Sequence, residues 1–166
     1  MSVALDILRT YRAPRTVLSR RIGKVEREDR ALVTLLVACV FMFIAQWPRL
    51  ARESHLNEDV PFDALMAAAL FGWILFAPLF FYVLSWLTHL VMRLFRLPST
   101  GYKSRMALFW ALLAAAPLWL LAGLTAGFIG PGPALTLTGG AATLAFLLFW
   151  VLGLVEITSK RGAQAG

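Results

Sequence analysis

"ALVTLLVACVFMFIAQW", Ala31 to Trp47, decides how the rest of the chain is read. It contains no charged residue, and its apolar side chains occupy every face of a helix instead of one stripe. A helix that is apolar all round belongs in a protein core or a bilayer. A charge-free stretch approaching twenty residues matches a hydrocarbon layer of about 30 Å. Composition favours the bilayer, because 60% of the 166 residues are hydrophobic and only 15% are charged. Soluble domains carry about 25% charged residues.

Three further stretches have the same character: Ala64 to about Met92, Met106 to about Ile129, and Leu135 to Val155. The expected fold is therefore an all-α, polytopic membrane helix bundle with four transmembrane helices. Their approximate limits are 31–47, 64–92, 106–129 and 135–155, inside a transmembrane domain of 31–157. A basic leader, 1–30, precedes it and a short tail, 158–166, follows. Pro78 falls inside the long second stretch, so that helix is expected to kink or tilt, with its last turns leaving the hydrocarbon. Pro117 should bend the third in the same way. The first apolar stretch begins only at Ala31 and has no small-residue cleavage pattern, so it reads as a retained span and not as a signal peptide.

Charge sets the expected orientation. Arg9, Arg12, Arg15, Arg20, Arg21, Lys24, Arg27 and Arg30 precede the first span. The connection after the second span carries Arg93, Arg96, Lys103 and Arg105, and the tail carries Lys160 and Arg161. The other two connections hold only Arg49 and Arg52, and none. The positive-inside rule then places both termini in the cytoplasm. Arg12, Arg15, Arg20, Arg21, Lys24, Arg93, Arg96, Lys103 and Arg105 are the expected contacts to anionic lipid headgroups. The net charge of +7 thus points to a membrane surface and not to nucleic acid.

The leader has its own pattern. Val3, Ile7, Leu8 and Tyr11 share one helical side, and beyond Pro14 a second short helix gathers Val17, Leu18, Ile22 and Val25 opposite Arg15, Ser19 and Lys24. Amphipathic basic segments of this kind lie in the headgroup plane, so two interfacial helices are expected, with a partner-binding arm as the other reading. On the opposite side, Asn57 or Asp59 is the expected cap of the second span. The "GPGP" sequence from Gly130 should make a tight turn.

Candidate chemistry is sparse. Tyr82, Ser85 and His89 fall on one face of the second span, and polar groups in lipid are costly enough to deserve a role. That face could line a proton-sensitive or ligand-contacting path. In the plainer reading, Ser85 bonds a backbone carbonyl, Tyr82 and Trp86 pack between helices and His89 reaches the interface. Glu156 ends the fourth span and is a candidate for an interhelical ion pair with Arg93 or Lys103. No acidic residue lies at the centre of a span, which disfavours a transport path. Cys39 is the sole cysteine, and His55 and His89 belong to opposite sides of the expected topology, so no metal site or cofactor is expected. Gly123 and Gly127 have the small-xxx-small spacing, expected to serve packing of the third helix on the fourth, or a homodimer.

The leader "YRAPRTVLSRRI", the proline-bearing second span, the basic loop and "RMALFWALLAAAPLWLLAGLTAGFIGPG" together resemble the bacterial branch of the YIP1 membrane-protein family. The resemblance implies an integral membrane protein with a cytoplasmic N-terminus. That family is usually described with five spans, whereas this chain reads as four. The association of its eukaryotic members with small GTPases depends on cytoplasmic segments largely missing here and is not carried over. The expected function is non-enzymatic: a scaffold, assembly factor or accessory subunit of a bacterial inner membrane, working through lateral helix contacts with a membrane-protein partner or a second copy. The alternative is an oligomeric transporter or channel lined by Tyr82, Ser85 and His89.

Overall fold

The computed structural model describes residues 3–22, 27–57, 60–95, 97 and 100–162. The chain is an all-α bundle in which four helices are long and apolar enough to cross a membrane: Glu28–Leu56, Phe62–Leu94, Gly101–Phe128 and the fourth from Pro133. Two short leader helices, Val3–Thr10 and Pro14–Ile22, come before them. The first and third spans run parallel, and the second and fourth run against them. The leader, the end of the second span, the start of the third and the end of the fourth therefore share one end of the bundle, called here the termini end.

The third span is the centre. Every residue from Met106 to Ala116 is buried, so the termini-end half of this helix is covered on all sides. An all-round apolar sequence with "ALLAAAPL" at its middle makes that possible, because four alanines let neighbours approach from several directions. The first and fourth spans pack most extensively on it, and the second span and the leader complete the cover. Beyond Pro117 the helix continues to Phe128 but is only partly covered.

The first span is longer than its charge-free stretch. It starts at Glu28 and continues through Pro48 to Leu56. Pro48 does not end it, and Gly127 of the third span gives it room: a Cβ on Gly127 would come within 2.3 Å of the Pro48 Cβ. One turn earlier, a Cβ on Gly123 would stand 1.9 Å from the Ala45 carbonyl oxygen. The small-xxx-small face of the third helix thus seats the first span and not the fourth. In lipid, where no hydrophobic force drives helices together, such close backbone approach is a main source of association.

In the second span the effect of Pro78 is felt one turn upstream. Residues Phe71–Phe76 form a π-turn, and the Ala77 N–H donates to Gly72 O, five residues back. Pro78 has no N–H to continue the regular ladder, and a wider turn absorbs the mismatch. This span is the least covered of the four, since its most apolar window contains no buried residue. Its N-cap position is Pro61, without a side-chain cap, and Asn57 instead closes the first span by donating its N–H to Glu53 O. Asp59, the other expected cap, lies outside the described residues. The turn at Gly130 is as expected: its φ of 91° lies in the left-handed region that favours glycine.

Candidate functional site

The leader lies against the bundle. It docks on the third and fourth spans through specific polar and aromatic contacts. The Trp110 indole N–H donates to Thr10 Oγ1 at 3.2 Å, and the Thr10 hydroxyl donates to Asp6 O at 2.7 Å. The Tyr11 hydroxyl donates to the Ala114 carbonyl at 3.0 Å, and its ring meets Phe149 edge-on at 5.2 Å. Burial raises the Tyr11 phenol above its ordinary pKa, which keeps it the donor this contact needs. Farther along, Val17 and Leu18 are buried, and Leu18 reaches Gly153, where a Cβ would stand 2.9 Å from its Cδ2. The second leader helix therefore buries Val17 and Leu18 against the bundle, whereas Val3, Leu5 and Leu8 of the first stay exposed, and Asp6 and Thr10 are the residues of that helix that are buried.

The Tyr82, Ser85 and His89 face is turned toward the third span. The Tyr82 ring packs edge-on to Phe109 at 5.1 Å, and Ser85 is 1% exposed. Neither the Ser85 hydroxyl nor His89 Nδ1 finds a hydrogen-bond partner among the described residues. The expected backbone bond belongs instead to Thr88, whose hydroxyl donates to Leu84 O at 2.8 Å. Trp86, expected between helices, is 61% exposed. Three polar groups are thus gathered against the central helix, on the side of the second span away from its open face.

That open face is apolar and aromatic. Phe76, Leu79, Phe80, Val83, Leu87, Leu90 and Leu94 recur at helical spacing and are all exposed. Phe71, Trp86 and Phe95 extend the aromatic content along the same helix.

The cations divide into two sets. Arg12, Arg15, Arg20 and Arg93 present exposed side chains at the termini end, and Lys103 is partly exposed. Arg105 is engaged, with its guanidinium donating to both carboxylate oxygens of Glu28. This pair joins the third span to the first at the termini end. Lys24, Arg96 and the Arg21 side chain lie outside the described residues. Glu156 is partly buried at the end of the fourth span, one residue before the buried Ile157.

Sequence reasoning missed Arg52. Its Nη1 donates to Gly127 O at 3.3 Å, so a guanidinium caps the last carbonyls of the third span. Cations are favoured at helix C-termini, where the final carbonyls lack partners. Arg52→Ala should lower bundle stability by about 1–2 kcal/mol, as expected for a partly buried cation at a helix C-terminus. Thermal unfolding in mild detergent, followed by tryptophan fluorescence, measures it.

Comparison with protein-family models, curated proteins and solved structures finds no match.

Proposed function

We propose that this chain is a small membrane scaffold, assembly factor or accessory subunit that works through lateral contacts made by its second span. The observation that carries the reading is the division of labour on that helix. Its polar residues are spent against the third span, while its outward face offers an uninterrupted aromatic and aliphatic surface. Aromatic residues are enriched at the cores of protein–protein interfaces. The π-turn at Phe71–Phe76 breaks the regular helix surface within the same span, and such turns recur at functional positions. The oligomeric channel is disfavoured by the same geometry, because its proposed lining faces inward to Phe109.

The proposal includes a bacterial inner-membrane location, cytoplasmic termini and membership of the bacterial YIP1 branch, the last supported by the leader and third-span patterns. Non-enzymatic action and contacts of the leader and loop cations with anionic lipid belong to it too. For the orientation, a reporter after Gly166 should read cytoplasmic and one within Ser54–Asn57 external. Both reporters on one side would overturn the four-span topology. For the function, the solubilised complex should contain a stoichiometric foreign membrane protein. A closed ring of identical chains would favour the channel instead.

A further inference from the structure

Between the four spans, in the half away from the termini, lies a cavity of about 470 Å³. Its apolar wall includes Met42, Trp73, Phe81, Leu112 and Phe146, and its polar rim is Gln46 and Arg49. A second cavity of about 410 Å³ runs beneath the second span along Leu65, Ala68, Ala69 and Gly72. The two share Gln46, Arg49 and Trp73, and the second also reaches Glu53. An apolar cavity and a more polar groove thus meet at one cation, with a carboxylate beside it.

The depth of that cation is informative. At about 1.5 Å of rise per residue, Arg49 lies about 30 Å along the first span from Glu28, whose carboxylate is tied to Arg105 at the other end. That separation is the thickness of a hydrocarbon layer, so Arg49 stands at headgroup level when the Glu28–Arg105 pair stands at the opposite headgroup level. Its Nε donates to Gln46 Oε1 at 3.1 Å, which orients the guanidinium and leaves its terminal nitrogens without a partner among the described residues. A cavity of this volume lies within the about 300–1,000 Å³ range of ligand sites.

We infer that these clefts hold one diacyl phospholipid from the leaflet at that end, with a zwitterionic, amine-bearing headgroup. Its phosphate meets Arg49, a guanidinium suited to phosphate oxygens. Its ammonium meets Glu53 along the groove, and an acyl chain enters the apolar cavity. Charge complementarity selects this occupant: a purely anionic headgroup would satisfy Arg49 but face Glu53 unfavourably, and a fatty acid would leave Glu53 without a cation.

The test is native mass spectrometry of the full chain released from nanodiscs containing equal phosphatidylethanolamine and phosphatidylglycerol. One retained phosphatidylethanolamine per chain is expected. Arg49→Gln, at an exposed side chain, should cut retention at least fivefold, and Glu53→Gln should abolish the headgroup preference. Gly139→Phe should reduce retention by filling the larger cavity, where nothing lies within 4 Å of a Cβ at Gly139. No retained lipid in the parent protein, equal retention of both headgroups, or unchanged retention in Arg49→Gln would each overturn the assignment.

Discussion

Gly123→Val is expected to open the junction between the first and third spans. Even a single Cβ at this position would stand 1.9 Å from the Ala45 carbonyl oxygen and 2.8 Å from its carbonyl carbon. Those are backbone atoms inside a helix, so they cannot swing aside as a side chain would. Overpacking costs about 1–3 kcal/mol when side chains can adjust, and more when backbone must move. The expected loss here is therefore above about 3 kcal/mol, read as a lowered midpoint in thermal or SDS-induced unfolding. Gly140→Val is the matched control, because that glycine faces open space on the fourth span and lines neither cleft. It should change stability by less than about 1 kcal/mol.

Trp110→Ala should release the leader and weaken the bundle together. Trp110 is 2% exposed, sits within the covered half of the third span and donates to Thr10. Removing a buried Trp or Phe side chain in a water-soluble core costs about 3–5 kcal/mol. In lipid part of that cost falls away, since lipid tails are as apolar as the interior, so about 2–3 kcal/mol is expected. The local consequence should be larger than the global one. Trypsin acting on the exposed Arg12 and Arg15 needs the leader to open, and cleavage there should accelerate at least tenfold. Trp110→Phe separates the two effects: it retains most of the packing and loses only the hydrogen bond to Thr10.

These outcomes bear on what could be read from the chain alone. Four apolar stretches gave the all-α bundle and its element order, because a bilayer demands long apolar helices. The end of the first span was not legible, since a proline after a tryptophan and before an arginine reads as a stop. The continued helix is seated against a glycine on another helix, Gly127, which no local pattern reports. The leader shows the same limit. Its amphipathic spacing shows that Ile7, Val17 and Leu18 need cover, but whether lipid or the third span supplies it depends on long-range contacts such as Tyr11 to Ala114. Likewise Tyr82, Ser85 and His89 were identifiable as one face, and only packing says that this face looks toward Phe109. Arg52 carried no motif, and its capping role exists because the third span happens to end beside it.

The central claim is that the outward face of the second span is a contact surface for another membrane protein. A photoreactive amino acid in place of Phe80, compared with one in place of Leu148 on the equally lipid-accessible fourth span, tests it in the native membrane. A discrete adduct from position 80 containing one foreign membrane polypeptide is expected, with little or none from position 148. Adducts only to further copies of this chain, or equal adducts from both positions, would contradict it.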